Sequence, residues 1–463
     1  MKTPQVIRQS QAPAGEHVPV VIVGAGACGL TAALALSRSG IDCVVLERDA
    51  VPAGSTALSS GFVPAAGTRA QAAQGIVDDA EQFAQDIQAK AHGEAAPHLV
   101  AAYSSTIARA IDALGEHHGI AWQVLDNFLY PGHRVHRMHA VPERSGAGLM
   151  NRLRAAADAA GIPVLSQARV VELWVNEARQ ITGVGCERRD GSIEHVGCQV
   201  LVLACNGFGG NEALRRELLP DMADSTYAGH VGNDGSAIQW GRQLGARLAD
   251  LGGYQGHGSW AIPQGALISW SLMMEGAIQV NAQGLRFHDE TQGYSEAAVK
   301  VLAQPGGVAW NIFDEQLLAF AQEFPDFRDA QSAGAVKQCR DLDSLADLIG
   351  CRRNALEATL STVTPGTDVA TGRTFGRKLQ APPWYAVKVT GALFHTQGGL
   401  DIDAQCRVLD QQGRPFANLL AAGGAARGVS GNAVWGYLSG NGLLSAVAGG
   451  HISAQTATSL LRS

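Results

Sequence analysis

A chain of 463 residues, 46% hydrophobic and 17% charged, is long enough for two or three globular units and too apolar for disorder. Its net charge of −7 comes without a basic run, which excludes a nucleic-acid footprint and leaves a small molecule as the expected partner. The eight cysteines show no CxxC, CxxCH or zinc spacing, so no metal and no covalent haem is expected, and no run of ~18 apolar residues could span a bilayer.

The first stretch, "MKTPQVIRQSQAPAGEH", has no apolar segment and reads as a frayed polar tail over residues 1–17, not as a signal peptide, so a cytoplasmic location is expected. Next, "VPVVIVGAGACGLTAALALSRSGIDCVVLERDA" runs apolar strand, glycine turn, helix, strand and acid, one βαβ unit. Gly24, Gly26 and Gly29 form GxGxxG. The first permits the turn, the second lets a pyrophosphate approach the backbone, and the third lets helix and strand pack closely. Glu47 ends the second strand, where it can accept hydrogen bonds from ribose hydroxyls.

"GSTALSSGFVPAAGTRAQ" (54–71) follows the acid closely and is rich in small hydroxyl residues, suited to a further phosphate or a ring system. "NFLYPGHRVHRMHA" places histidines at i, i+3 and i+6, which fits neither a metal-binding helix nor a strand face. The segment from "AGIPVLSQ" to "VLVLA" predicts strands joined by the turns "NEARQ" and "RDGS", a small sheet that brings Val170 near an adenine. "CQVLVLACNGFGGN" and "RPFANLLAAGGAARGV" are buried strands ending in glycines. From about Leu244 to Arg377 helical periods mix with glycine-rich turns, as in "LDSLADLIGCRRNALEATLSTV". The last segment, "GYLSGNGLLSAVAGGHISAQTATSLL", predicts a closing helix whose N-terminus could face a flavin.

Taken in order, "VVIVGAGACGL", "GSTALSSG", "VLACNGFGGN", "NDGSAIQWGRQLGARL", "EGAIQVNAQGLRFHDE", "HTQGGLDID" and "FANLLAAGG" resemble the flavoprotein family of fumarate reductase and succinate dehydrogenase. That family also holds L-aspartate oxidase and the 3-ketosteroid Δ1-dehydrogenases. The resemblance implies an α/β fold: a Rossmann-type FAD-binding domain (18–243 and 378–463) interrupted by an α+β capping domain (244–377), with substrate between them. It also implies FAD contacts at Gly24, Gly26, Gly29, Glu47, Ser55, Thr56, Gly61, Val170, Ala204, Asn206, Gly423, Asn441 and Leu444. Two departures matter. Gly424 stands where many members place an acid for the ribityl chain, and "GSTALSS" lacks the histidine that attaches flavin covalently, so dissociable FAD is expected.

The reductases of this family deliver a proton from an arginine four residues after "RFxNE"; here "RFHDETQGYSE" puts Tyr294 there. Their carboxylate-clamping histidine and arginine correspond to Ser430 and, across a three-residue insertion, Tyr437. Losing both arginines argues against fumarate and succinate, because Arg binds carboxylates bidentately. Two tyrosines suit a neutral ketone, one polarising the carbonyl and one, as phenolate, taking the adjacent proton, much as in the 3-ketosteroid dehydrogenases. The expected reaction is desaturation next to the carbonyl of a cyclic ketone, cyclohexanone-type or 3-oxosteroid. Tyr294 would take the α-proton, Tyr437 with N–H groups near Asn441 and Gly442 would polarise the ketone, and hydride would pass to flavin N5. A tyrosinate useful near neutrality requires its pKa to fall about 2 to 3 units from ~10.

His395 and His257 match family histidines near the substrate. Tyr130 and Trp435 are candidates for the cavity wall and equally for core or interdomain aromatics. The expected electron acceptor is dioxygen or a quinone-like compound, since both reoxidise such flavins. The alternative is a fumarate- or enoate-type reductase working in reverse, with Tyr294 as the acid.

Overall fold

The computed structural model describes residues 2–463. Its larger sheet has nine strands, and the eleven-residue strand Ile193–Leu203 organises it. One side of that strand pairs in parallel with Glu16–Val23, which pairs in turn with Cys43–Leu46. Its other side is shared: residues 193–197 run antiparallel to Ile181–Glu187, and residues 201–203 run parallel to Pro415–Ala421. The returning chain thereby closes onto the same sheet. Val20, Val21, Ile22, Leu201, Val202 and Leu203 are almost fully buried, as the continuous apolar runs demand of strands covered on both faces. Helix Ala27–Arg38 and the closing helix Asn441–Arg462 cover one face, where Gly450 sits against the Cys28 backbone so closely that no Cβ would fit.

The N-terminal stretch expected to fray contains the strand Gln5–Arg8, paired in parallel with Arg169–Val175. Its polar residues suit an edge strand, since only backbone groups are needed for the pairing.

A seven-stranded sheet is built on Trp384–Thr396, which lies antiparallel between Tyr254–Ala261 and Val308–Asp314. Register shifts after Gln255 and after His257 twist the Tyr254–Ala261 strand. Helix Tyr294–Leu302 lies across this sheet on three glycines. A Cβ on Gly256 would stand 2.8 Å from that of Ala298, one on Gly258 would stand 2.7 Å from that of Ala297, and one on Gly391 would overlap the Ala298 carbonyl. The missing side chains let the helix settle onto the strands, and its first residue, Tyr294, comes down beside His257. No helix among the described residues is long and apolar enough to cross a membrane.

Candidate active site

One long cavity runs between the two sheets. At its first end, Gly24 (φ 104°) turns the chain from strand Glu16–Val23 into helix Ala27–Arg38. A Cβ there would meet the Ala204 carbonyl at 2.6 Å, and one on Gly29 would run into the Gly24 carbonyl. The space above Gly26 is open, its nearest atom being Thr56 Oγ1 at 3.7 Å. A phosphate can therefore reach the backbone at this turn, beside a helix N-terminus whose N-cap, Gly26, has no side chain and whose Ala27 N–H is held by Thr56 Oγ1 at 3.2 Å. Glu47 is buried and accepts the Ala25 and Asp49 N–H groups, each at 2.8 Å. The Asn206 and Asn233 amides both donate to Ser55 Oγ, at 3.0 and 2.9 Å.

Gly24, Gly26, Glu47, Ser55, Thr56, Gly61, Val170, Ala204, Asn206 and Gly423 line this cavity. Three residues expected at the cofactor do not line the cavity. Gly29 is pressed under Gly24, while Asn441 and Leu444 are fully buried behind Gly442, Leu443, Ser445 and Ala446, which take the wall instead. The closing helix brings its own fit to a dinucleotide: its N-cap, Gly440, supplies no side-chain acceptor, and Ser445 Oγ is buried without a partner. Uncapped N–H groups and a spare hydroxyl suit the carbonyl edge of a flavin. The glycine at 424 also has a cause here. Asn206, held at φ 64° with its Oδ1 accepting Gly207 N–H at 2.8 Å, fills the space a side chain would need. Gly424→Asp is accordingly expected to displace Asn206 and cost FAD retention, read as flavin absorbance per protein after gel filtration.

Charged lining residues missed by sequence reasoning are Arg48, Asp49, Arg169 and Asp234. They neutralise one another, with Arg48 and Arg169 both 3.2 Å from Asp234, and they sit at the dinucleotide end, Arg48 donating to the Gly232 carbonyl.

The other end gathers aromatic and imidazole side chains. Tyr294 stacks on His257 (centroids 4.9 Å, planes 24° apart) and stands 6.0 Å from the Tyr437 ring. His395 meets Tyr437 edge-on at 5.7 Å, and Trp270 and Phe394 flank His257 at 5.7 and 5.5 Å. Tyr130 lines the same space, backed by Phe128 at 4.8 Å and Phe62 at 6.4 Å. Gly442 lines it too, its N–H 3.5 Å from the Tyr437 hydroxyl. Trp435 is not in this wall: it is 40% exposed and stacks on His92. Phe394, Ser269, Leu267 and Gln397 complete the lining, and none of them carried a signal in the sequence beyond standing near a motif.

Among the described residues no Lys or Arg lines this end. Burial drives His257 down to about 3 and His395 down to about 4, so both are neutral at ordinary pH. His257 Nδ1 accepts Ser259 N–H at 3.1 Å, which leaves the proton on Nε2. Burial also pushes the phenols of Tyr130, Tyr294 and Tyr437 up. For Tyr294, hydrogen bonding from the Ser439 and Tyr437 side chains opposes this incompletely. The lowered tyrosine pKa expected from the sequence is therefore reversed by desolvation, since no cation is at hand to hold a phenolate.

A doubly covered sheet, a glycine turn at a helix N-terminus and a second helix aimed at one cavity define a dinucleotide-binding fold, and with the family match and relatives the chain is an FAD-dependent oxidoreductase of the kind that acts on carbon–carbon bonds. The chain belongs to the family described as FAD binding domain, whose model matches residues 19–443. It is 30% identical over 454 residues to a probable fumarate reductase of Shewanella frigidimarina, covering 96% of this chain and 75% of that one. The open conformation of a flavocytochrome c3 fumarate reductase superposes with a TM-score of 0.81 at 29% identity, covering 97% of this chain and 79% of that one. A 3-ketosteroid-Δ4-(5α)-dehydrogenase from Rhodococcus jostii RHA1, in complex with 4-androstene-3,17-dione, shares the fold with a TM-score of 0.76 at 23% identity, covering 97% and 100%.

Proposed function

We propose that the protein is a dehydrogenase that introduces a double bond next to the carbonyl of a cyclic ketone, cyclohexanone-type or 3-oxosteroid. The observation that carries this reading is the make-up of the substrate end, where three tyrosines and two neutral histidines converge and no guanidinium or ammonium enters. A dicarboxylate desolvated there would lack any partner for its charges, at a cost of several kcal/mol per ion. A ketone needs only a hydrogen-bond donor, and Tyr437, whose oxygen accepts the Gly442 N–H at 3.5 Å, has its own O–H to offer. Polarising that carbonyl acidifies the adjacent C–H, and Tyr294, on the neighbouring helix, is the group placed to take the proton. The aromatic walls formed by Trp270, Phe394 and Tyr130 exclude water from the reacting carbons. Bound FAD supplies the two-electron acceptor.

The upward push on Tyr294 favours a second reading with the same substrate class. A phenol that keeps its proton at neutral pH is suited to donate it, which would make the protein a reductase of cyclic enones. Anaerobic titration of the yellow protein with cyclohexanone, 4-oxocyclohexanecarboxylate, a 3-oxosteroid and succinate separates the cases. Bleaching of the flavin by a ketone and not by succinate is the expected result. Bleaching by succinate, or reoxidation of dithionite-reduced protein by fumarate as fast as by an enone, would overturn the neutral-substrate reading. No bleaching by ketones together with fast reoxidation by an enone would establish the reductase.

A further inference from the structure

Asn441 and Ser430 stand outside the cavity wall, yet both are buried and joined to it. Asn441 Nδ2 donates to Ser430 Oγ at 2.9 Å, and the Ser430 hydroxyl donates to Gln397 Oε1 at 2.8 Å. Gln397 Nε2 then stands 3.1 Å from His395 Nδ1. In this direction Nδ1 is an acceptor and the imidazole proton sits on Nε2.

The opposite direction is geometrically open, because the Thr396 carbonyl is also 3.1 Å from Nδ1 and would welcome a proton there. It requires the Gln397 amide to turn and donate to Ser430 Oγ, which already accepts from Asn441, and this would leave the Ser430 hydroxyl proton buried with no acceptor. As drawn, the unpaired atom is Asn441 Oδ1. A buried carbonyl oxygen without a partner is tolerated better than a buried donor without one, so the first direction wins.

The consequence falls inside the cavity. A Cβ on Gly442 would stand 2.6 Å from His395 Nε2 and 3.6 Å from the Tyr437 hydroxyl, so the two polar atoms face one small region beside the Gly442 N–H. We propose that Gln397, Ser430 and Asn441 form a positioning chain that holds His395 as an Nε2–H donor. His395 thereby joins the Tyr437 hydroxyl, whose oxygen accepts the Gly442 N–H, as a donor to a single carbonyl oxygen. The identity of that oxygen rests on the ketone reading above; the tautomer does not.

The test uses FAD-saturated protein labelled with 15N-histidine, the His395 signals being assigned by their loss in His395→Gln. The expected spectrum shows Nε2 protonated. Gln397→Glu, whose carboxylate can only accept from Nδ1, is expected to move the proton to Nδ1, retain FAD and lower kcat for the ketone about 10²-fold, the loss typical of one oxyanion donor. Ser430→Ala, which frees the Gln397 amide to turn, is expected to mix the tautomers, and Ser430→Thr to restore the parent spectrum. A parent spectrum with Nδ1 protonated, or a tautomer unmoved by both Gln397→Glu and Ser430→Ala, overturns the proposal. So does a switched tautomer with unchanged ketone turnover. If no ketone is turned over by the parent protein, the ketone reading fails and the spectra alone decide the chain.

Discussion

Tyr294→Phe is expected to slow anaerobic flavin reduction by the ketone about 10²- to 10⁴-fold, the range that one positioned proton-transfer group supplies. The change removes one oxygen and keeps the ring, so the stack on His257 at 4.9 Å and the contact with Trp270 at 6.5 Å survive. FAD content and the midpoint of thermal unfolding are therefore expected to stay near the parent values. A loss of flavin in parallel with activity would mean that the hydroxyl props the cavity instead of moving a proton, and unchanged reduction would remove Tyr294 from the chemistry altogether.

The pH profile carries the same argument further. An ordinary tyrosine titrates near ~10 and burial pushes Tyr294 higher, so below pH 9 the phenolate is a minority species that grows about tenfold per pH unit. Ketone-driven reduction in the parent protein should climb with that slope from pH 6 to 9, and the climb should vanish in Tyr294→Phe. His257 and His395, lowered to about 3 and about 4, stay neutral over this range and add no limb of their own. A reductase using the Tyr294 proton would instead give a flat rate across pH 6 to 9, since the phenol is fully protonated throughout.

Steric necessity made the dinucleotide end legible from the sequence. A turn that approaches Ala204 and Gly24 this closely admits only glycine at 24 and 29, so the spacing itself encodes the geometry. Tyr294 is legible through its distance from "RFHDE", because the helix it begins is capped by Gly293, whose φ of 144° favours glycine. The misses have a different origin. Around the start of the closing helix each residue turns by about 100°, so Gly442, Leu443 and Ala446 face the cavity while Asn441 and Leu444 face away, and a loop of uncertain phase hides which is which. Trp435 fails similarly: the short turn Val434–Gly436 points it outward onto His92 although Tyr437, two residues on, points in. The direction of the tyrosine shifts depends on what surrounds each hydroxyl in three dimensions, and no local pattern reports that.

Glu290→Ala is expected to lower the stability of the FAD-saturated protein by about 3 to 5 kcal/mol, the cost of stranding buried charge. The Glu290 carboxylate is fully buried, meets Arg286 through two oxygens at 2.6 and 3.1 Å and Arg373 at 3.0 Å, and accepts Gln279 N–H at 2.9 Å. Removing it leaves two guanidiniums, both over the Phe375 ring, with Asp368 on Arg286 as the remaining acid. Burial opposes ionisation of Glu290, but Arg286 and Arg373 outweigh it and hold the carboxyl below its ordinary range. A folded-state pKa below the unfolded one contributes stability above about pH 4.5 and loses it as pH falls through the folded value, so the gap between parent and variant in denaturant midpoint should narrow in acid. Arg373→Met in the same background should recover part of the loss, because one unpaired charge leaves with it; a double variant worse than Glu290→Ala would mean that water already solvates the vacated pocket. The effect should also reach the chemistry. The Glu290 carbonyl holds the Trp270 indole N–H at 2.9 Å and Trp270 abuts His257, so variants that fold should lose ketone turnover before they lose FAD. The acid of "RFHDE" then acts in this chain as the footing of the aromatic wall, four residues before Tyr294 in the same cavity.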